Sequence, residues 1–378
     1  MIRSFVRHID PWLVLITLPI VGAGLITMFS FGGDNSFFTR QLTWWGISLI
    51  FMLVISFFDI RVFKRTDVVV GLFILASVLL SILLVFGHVS KGAQSWFSFG
   101  GISFQPADLM KLVVVLILAK YFSRRHVEIA NMKHIFISGV YAFIPFILVL
   151  LQPDFGSAMI IFIIWLGMAL VAGIKKRHLL MIGGAVLVAF TIGWFFLFKP
   201  YQKERLITFI NPLHDIRGAS YNVYQSTIAV GSGQILGKGV GYGTQSRLQF
   251  LPEYQTDFIF AAFAEEWGFI GALLLLLLFT LLIGRILVMS MVGASNFEML
   301  FGAGIAIYFI AHILINVGMN IGVAPVTGIP LPFMSYGGSH LLVEYSALGI
   351  IMAMYRYART AHRDDMKNEF VGYEHYVA

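Results

Sequence analysis

Ten apolar segments, each close to the length that crosses a lipid bilayer, restrict the fold of this 378-residue sequence more than any other feature. A bilayer core needs about 20 apolar residues per helix. The segments cover residues 12–31, 42–58, 68–86, 107–122, 135–151, 156–173, 179–198, 258–286, 300–321 and 340–355. Charged residues make up only 12% of the chain, against about 25% in soluble domains. We therefore predict an all-α polytopic membrane protein with about ten transmembrane helices.

Basic residues are concentrated in alternate connections between these segments, and this pattern predicts the orientation of the chain. Seventeen of the 26 lysines and arginines fall on one side. They are Arg3, Arg7, Arg61, Lys64, Arg65, Lys120, Arg124, Arg125, Lys133, Lys175, Lys176, Arg177, Arg285, Arg356, Arg359, Arg363 and Lys367. The positive-inside rule makes that side cytoplasmic, with both termini inside. The net charge of +7 therefore orients the protein and requires no nucleic-acid partner.

The first apolar segment follows two arginines, as the apolar part of a signal peptide does. Its length and the missing small-x-small cleavage site favour a retained helix. The sequence contains no cysteine, which excludes disulfides and thiolate metal sites.

Three connections on the opposite side are large enough to build a site. Residues 199–257 form one large extracytoplasmic loop within a single transmembrane domain of residues 1–378. Its apolar residues predict short amphipathic helices. A second connection, residues 87–106, is rich in glycine, serine and aromatic residues. The third, residues 322–339, has three prolines and no charge, and such backbone is tolerated at membrane depth only beside protein or a water-filled cavity. We expect it to be re-entrant.

The segment LPEYQTDFIFAAFAEEWGF brings four carboxylates to the start of the eighth apolar segment. They are Glu253, Asp257, Glu265 and Glu266. Asp257 falls in the first predicted helical turn, where a carboxylate can serve as a cap. The alternative is a chemical role, because three small residues follow it on nearly one helical face and would leave an open groove beneath the carboxylate. These residues are Ala261, Ala264 and Gly268.

Glu265 and Glu266 lie roughly 12 Å further along the same helix, at membrane depth. Ionisable residues at that depth are expensive and usually face the interior of a bundle. They are interpreted as structural partners of other polar groups, or as part of a proton or cation pathway.

Other charged residues lie within or next to apolar segments. Lys111 lies within the fourth segment, and Asp108 precedes it by three residues on the same helical face. The pair either neutralises itself or lets Lys111 hold an anionic headgroup near the outer surface. Asp154, in LQPDFGS, is most simply a helix N-cap.

The glycine-rich segment GSGQILGKGVGYG, residues 231–243, is not a nucleotide-binding loop. Ser232 stands where the first glycine is required, and Gly239 stands where a metal-binding serine or threonine is required. The segment is either a flexible turn or a loop that presents amide groups and Lys238 to a phosphate.

A polar stripe crosses the ninth apolar segment, where three polar side chains recur every four residues. They are His312, Asn316 and Asn320. Interhelical hydrogen bonds explain this stripe better than contact with a substrate. The histidines of the chain show no metal-binding spacing.

Three long motifs in the same order resemble the shape, elongation, division and sporulation family. They are KGAQSWFSFGGISFQPADLMK, then GASYNVYQSTIAVGSGQILGKGVGYGTQSRLQFLPEYQTDFIFAAFAEEWGFIG, then GIPLPFMSYGGSHLL. The resemblance covers nearly the whole chain, and several ordered motifs together are specific. The GTQS and KGAQ sequences are more similar to the elongation branch, RodA, than to the division branch, FtsW. The family usually has glutamate where this chain has Asp108, a carboxylate that is one methylene shorter.

The resemblance implies an inner-membrane enzyme that polymerises lipid II into glycan strands of peptidoglycan during cell elongation. It also implies a class B penicillin-binding protein transpeptidase and other elongation-complex proteins as partners. The reaction joins a sugar hydroxyl of one lipid-linked disaccharide to the anomeric carbon of another and expels a lipid diphosphate. It therefore needs a base and positive charge for the leaving group.

The resemblance assigns Asp257 as the catalytic residue, in the role of this base. Outer-face cations and neighbouring carboxylates are the candidate substrate-binding residues. They are Asp108, Lys111, Asp154, Arg205, Lys238, Arg247 and Glu253. A divalent cation, magnesium or manganese, is expected to assist.

A transporter that flips lipid-linked cell-wall precursors is the alternative. It would use the same outer loops together with carboxylates at membrane depth, among them Glu344, to carry a coupling proton. Polymerisation should depend on Asp257 at the surface, whereas flipping should depend on the deeper carboxylates. A third interpretation, a scaffold for a partner protein, leaves the polar residues unexplained.

Overall fold

The computed structural model describes residues 10–31, 35–90, 93–99, 102–124, 132–211, 220–293 and 295–374. Arg3, Arg7 and Arg125 of the predicted cytoplasmic side lie outside these ranges, as do residues 212–219 of the large loop. The helices are α1 (Pro11–Ser30), α2 (Ser36–Phe57), α3 (Arg61–Lys64), α4 (Thr66–Phe86), α5 (Pro106–Ser123), α6 (Met132–Leu151), α7 (Phe155–Val171), α8 (Lys176–Ile192), α9 (Pro200–Ile210), α10 (Tyr221–Ser232), α11 (Thr244–Arg247), α12 (Ile259–Met291), α13 (Asn296–Asn320) and α14 (Gly338–Glu374). The prediction of a helical polytopic fold is confirmed.

Each of the ten apolar segments lies in a helix, and most helix ends fall within six residues of the predicted ones. The end predicted at residue 355 is wrong, because α14 continues to Glu374. Seven described helices are long and apolar enough to cross a membrane, namely α1, α2, α4, α6, α12, α13, and α8 together with its π-helical continuation to Phe196. Helix α7 is apolar but shorter, with 17 residues. Ten as the number of spans therefore remains a prediction.

The centre of the bundle is formed by α5 and α13, packed against α7 and α14. Fourteen of the 18 residues of α5 are buried, which identifies it as an interior helix. Glycines permit close helix packing here, as small residues do in membrane bundles. A Cβ at Gly304 of α13 would lie 2.6 Å from Val115 Cγ1 of α5, and one at Gly167 of α7 would lie 2.8 Å from Ile307 Cγ2 of α13.

One end of the bundle is held by basic residues that reach between elements. Lys64 of α3 pairs with Glu298 of α13 at 2.6 Å. Arg285 near the end of α12 pairs with Asp10, the N-cap of α1. Arg356 of α14 donates to the carbonyl oxygen of Phe57 at 3.1 Å. Three of the basic residues predicted to share one side thus lie at one end, which we call the basic end.

The opposite end carries the long connections. The large loop contains α9, α10 and α11, which confirms the prediction of short helices within it. Residues 87–106 contain an antiparallel sheet, β1 (His88–Ser90), β2 (Ala93–Phe99) and β3 (Ile102–Phe104), in the order β1-β2-β3. The register pairs His88 with Trp96 and Phe97 with Phe104. These strands were not predicted, because glycine and serine between the aromatic residues also fit an irregular loop.

Candidate functional site around Asp257

Asp257 lies in a turn that immediately precedes α12, and its side chain is partly exposed. The N-cap of this helix is Phe258, and no side-chain hydrogen bond caps it. Asp257 therefore precedes the cap position and is not the N-cap. It lies beside the positive end of the helix dipole, which favours an anion at this position.

Two asparagines of α13 fix the backbone of Asp257. The Nδ2 atoms of Asn316 and Asn320 donate to its carbonyl oxygen at 2.9 and 3.1 Å. Oδ1 of Asn320 accepts from the amide of Ala261 at 3.1 Å and from the Ser226 hydroxyl at 3.3 Å. The polar stripe thus makes the interhelical hydrogen bonds predicted for it, and these bonds join α10, α12 and α13 beneath Asp257.

Residues 322–339 form a wall beside the Asp257 carboxylate. A Cβ at Gly328, whose φ is +73°, would lie 3.5 Å from Oδ2 of Asp257. The Tyr336 amide donates to the Gln255 carbonyl at 2.8 Å, and the Ser335 hydroxyl donates to the Thr256 carbonyl at 2.6 Å. Residues 322–337 contain no helix, and residues 331–335 are buried. The depth of this segment in a membrane remains a prediction.

The prediction of an open groove along α12 is wrong. Ala261 and Ala264 are buried, and the glycine-rich segment packs directly on this face. A Cβ at Gly233 would lie 2.1 Å from the Ala264 carbonyl oxygen, and one at Gly237 would lie 2.1 Å from that of Glu266. Small residues admit another backbone as readily as a substrate, and sequence alone does not distinguish the two occupants.

Helix α12 is broken at Gly268, which has φ 66° and ψ −167°. The glycine-rich segment pairs with the backbone on both sides of the break. The amides of Lys238 and Gly239 donate to the carbonyls of Glu265 and Glu266, each at 3.0 Å, and the Phe269 amide donates to the Gln234 carbonyl at 2.8 Å. The free backbone groups of a broken helix are thereby satisfied, as burial requires.

Glu265 and Glu266 hold the glycine-rich segment through their side chains. Oε1 of Glu265 lies 2.7 Å from Lys238 Nζ and accepts from the Thr244 amide at 2.9 Å. Oε1 of Glu266 accepts from the Gly241 amide at 3.0 Å and from the Ser30 hydroxyl. The structural interpretation of these two carboxylates is confirmed. The loop binds the protein's own carboxylates, and the amides of Lys238, Gly239 and Gly241 are already engaged.

Lys111 and Asp108 form a buried ion pair of 2.9 Å, each about 1% exposed. Nδ1 of His340 lies 3.3 Å from the same carboxylate oxygen of Asp108. The self-neutralising interpretation of the pair is confirmed. Contact between Lys111 and an anionic headgroup remains a prediction, and it would require the ammonium to leave Asp108.

The remaining candidates lie around this end of the bundle. Asp154 is the N-cap of α7, accepting from the Ser157 amide at 2.9 Å, as predicted, and it also binds Gln105 Nε2 at 3.1 Å. Arg205 of α9 is exposed, and Arg247 of α11 is exposed and donates to the Gly241 carbonyl at 3.1 Å. Glu253 has a left-handed backbone, with φ 51°.

The turn before Asp257 is built on Glu253 and Tyr254. The Glu253 carbonyl accepts the amides of Thr256 and Phe258, each at 3.1 Å. Burial, and secondly the Glu253 charge, raises the pKa of the Tyr254 phenol. Tyr254 also packs edge-on against Phe31, with ring centroids 4.4 Å apart. A second apolar cluster of Ala229, Leu251, Phe258 and Ala261 lies beneath this turn.

The geometry permits general-base chemistry. A partly exposed carboxylate stands on a backbone held by Asn316 and Asn320, with the Gly328 backbone close to its Oδ2. No cluster of three or more His, Asp or Glu side chains that could hold a metal ion occurs in the described ranges. The described side chains therefore offer no preformed metal cage, and the assistance of a divalent cation stays a prediction.

The chain is similar to known proteins over most of its length. The family model described as "Cell cycle protein", for FtsW, RodA and SpoVE, matches residues 10–360. Peptidoglycan glycosyltransferase MrdB of Escherichia coli (strain K12) is 36% identical over 356 residues, covering 93% of this chain and 95% of MrdB. Stage V sporulation protein E of Bacillus subtilis (strain 168) is 35% identical, covering 93% of this chain and 98% of that protein.

Two solved structures are similar over most of the chain. One is a chain of a peptidoglycan synthase complex described as coordinating polymerization and crosslinking, with a TM-score of 0.79, 30% identity and coverage of 92% of this chain and 98% of that chain. The other is the rod shape determining protein RodA of Thermus thermophilus, with a TM-score of 0.70, 28% identity and coverage of 92% and 96%. The resemblance that the motifs indicated is therefore confirmed: the chain belongs to the FtsW, RodA and SpoVE family of multi-pass inner-membrane proteins.

Proposed function

We propose that this protein is a peptidoglycan glycosyltransferase that polymerises lipid II into glycan strands during cell elongation, with Asp257 as the general base at the extracytoplasmic face. The observation that carries the proposal is the Asp257 carboxylate itself, partly exposed beside Gly328 on a backbone held by Asn316 and Asn320. Relatives that cover more than nine tenths of the chain are named peptidoglycan glycosyltransferases, which supports the reaction class.

In the proposed reaction the Asp257 carboxylate takes the proton of a sugar hydroxyl on one lipid-linked disaccharide. The hydroxyl oxygen forms a bond to the anomeric carbon of a second one, and the bond from that carbon to the lipid diphosphate breaks. Fixing the carboxylate before the substrate arrives lowers the cost of reaching the reactive geometry. The hydrogen bonds from Asn316 and Asn320 to the Asp257 carbonyl oxygen hold the residue in place in this way.

Positive charge for the departing diphosphate is assigned first to Arg205 and Arg247, which are exposed on the large loop. Lys238 and Lys111 rank lower, because their side chains are only 29% and 1% exposed. Asp108, Asp154 and Glu253 are proposed to shape the substrate site rather than to bind the diphosphate, since they are acidic.

A magnesium or manganese ion is part of the proposal only as an ion carried by the substrate diphosphate. The described side chains do not form a metal cage. Treatment with EDTA followed by addition of each metal would test this role, and full activity in EDTA would remove the ion from the proposal.

A class B penicillin-binding protein and other elongation-complex proteins are the proposed partners. The similar chain from a peptidoglycan synthase complex supports this assignment, since that complex couples polymerization to crosslinking. Co-purification with the candidate transpeptidase, with the wild type and with Asp257→Asn, would test whether partner binding is independent of the proposed base.

The deciding experiment incubates the purified protein, alone and with its transpeptidase, with fluorescent lipid II and resolves the products by glycan length. We expect a ladder from the wild type and none from Asp257→Asn, because the amide cannot accept the proton. Thr280→Val, on the exposed side of α12, is the control and should match the wild type. Strand synthesis by Asp257→Asn at the wild-type rate would refute the assigned base.

The transporter alternative depends on carboxylates at membrane depth. In this structure Glu265 binds Lys238, Glu266 binds the Gly241 amide, and Glu344 binds the Phe333 amide. These bonds give each carboxylate a structural task and favour the polymerase. Lipid II flipping in vesicles that persists in Asp257→Asn and fails in Glu265→Gln would favour the transporter instead.

A further inference from the structure

A buried polar cluster, distinct from the contacts of Asp257, connects α5 and α14 in the centre of the bundle. It consists of Asp108, Lys111, His340 and Glu344, and none of these side chains is more than 5% exposed. The His340 ring lies between two carboxylates. Its Nδ1 is 3.3 Å from Asp108 Oδ1, and its Nε2 is 2.9 Å from Glu344 Oε1.

The groups packed around His340 come from α13 as well. The His312 ring lies 5.1 Å from the His340 ring, and the Tyr308 ring lies 4.6 Å from that of His312. Nδ1 of His312 is 3.2 Å from the Pro330 carbonyl oxygen. The buried polar cluster is therefore connected to residues 322–339 through His312 of α13 as well as through α14.

The second carboxylate oxygen of Glu344 binds one strained residue of the 322–339 segment. Oε2 accepts from the Phe333 amide at 2.8 Å. Phe333 has φ 60°, a left-handed conformation that a bulky residue adopts only where its surroundings impose it. Its buried ring packs between Phe309 and Tyr345, with centroid distances of 5.2 and 5.3 Å. The carboxylate and the ring pocket together fix this turn.

The turn at Phe333 leads directly to the wall of the Asp257 site. Ser335 accepts from the Leu331 amide at 2.8 Å and donates to the Thr256 carbonyl, one residue before Asp257. On the other side of the turn, Gly328 flanks Oδ2 of Asp257. A change in the Phe333 turn would therefore move groups on both sides of the carboxylate.

We propose that His340 and Glu344 are positioning residues for Asp257. His340, held by Asp108, orients Glu344, and Glu344 locks the left-handed turn that sets residues 328–336 against the carboxylate. This inference rests on the proposed function for its kinetic consequence, but its structural step does not. A buried carboxylate loses its support when one partner is removed, so each member of the cluster is needed to keep the turn in place.

The test compares Glu344→Ala, Glu344→Gln and His340→Gln with a matched control in the full-length protein. Glu298→Gln is the control, because Glu298 is equally buried and ion-paired, but with Lys64 at the basic end. Lipid II polymerisation gives kcat and KM, thermal unfolding gives the midpoint, and hydrogen exchange reports on peptides that cover residues 328–336.

We expect Glu344→Ala to lower kcat by about tenfold or more with KM nearly unchanged, because the base is misplaced rather than the substrate lost. Glu344→Gln should recover part of kcat, since its amide oxygen can still accept the Phe333 amide. Exchange should accelerate in residues 328–336 and not in α5. Glu298→Gln should lower the unfolding midpoint alone.

An unchanged kcat in Glu344→Ala, or exchange that accelerates equally across the chain, would overturn the proposal. If Glu344→Ala does not fold, Glu344→Gln and His340→Gln decide by the same readouts. If the wild type makes no glycan strands, the proposed function fails, while the exchange data still show whether Glu344 holds the turn.

Discussion

Single side chains decide how rigidly Asp257 is held. Asn320 is the most connected of them, because it donates to the Asp257 carbonyl and accepts from the Ala261 amide and the Ser226 hydroxyl. Its type and spacing were visible in the sequence as part of a polar stripe. Its partners were not, since they lie on other elements, 59 or more positions away along the chain.

Asn320→Ala should leave the buried Ala261 amide without its acceptor. An unsatisfied buried group costs about 1–3 kcal/mol, so we expect the free energy of unfolding to fall by that amount and the polymerisation rate to fall with it. Denaturation in detergent and the glycan-ladder assay measure the two effects. Thr280→Val, on the exposed side of α12, is the control, and an unchanged free energy of unfolding in Asn320→Ala would contradict this assignment.

At the scale of elements, the break in α12 organises the side of the candidate site that the glycine-rich segment covers. The Gly268 conformation, φ 66° and ψ −167°, is one that side-chain-bearing residues avoid. A Cβ there would also lie 2.2 Å from the Gly237 backbone nitrogen. The glycine-rich segment can pair with the broken helix only because both strands of backbone carry glycine at their closest approach.

Gly268→Ala should therefore separate the glycine-rich segment from α12. We expect lower thermal stability and loss of polymerisation, since backbone strain and the steric overlap act together. Gly284→Ala is the matched control in the same helix, because its Cβ would meet nothing within 4 Å. A wild-type unfolding midpoint in Gly268→Ala would show that the backbone is not held in this conformation.

At the scale of the whole molecule, charge and contacts distinguish the two ends of the bundle. Lys64, Arg285 and Arg356 bind between elements at the basic end. Asp257, the glycine-rich segment and the sheet lie with the connections predicted for the other side. The positive-inside rule assigns the basic end to the cytoplasm.

Cysteine labelling can test this orientation, because the chain contains no native cysteine. Tyr242→Cys, at a residue that is 72% exposed on the glycine-rich segment, should react with a membrane-impermeant maleimide in spheroplasts. Val62→Cys, in α3 at the basic end, should react only after the membrane is permeabilised. The opposite pattern would invert the topology and place Asp257 on the cytoplasmic side.

The sequence by itself determined the helical membrane fold, the approximate helix ends and the family. Apolar length and the need to satisfy backbone hydrogen bonds inside lipid leave a long apolar segment few alternatives to a helix. It also predicted the Asp108–Lys111 pair and the N-cap at Asp154, because those patterns are local. The role of Asp257 came from the family resemblance and stays a prediction.

Only the tertiary structure decided what fills the space around these residues. The small-residue face of α12 is covered by another backbone, and His340 reaches Asp108 from 232 positions away along the chain. Glu265 and Glu266 bind a loop of their own chain, and Glu344 binds the turn at Phe333. Such contacts depend on helix packing and on the paths of irregular loops, which the periodicity of one segment does not encode.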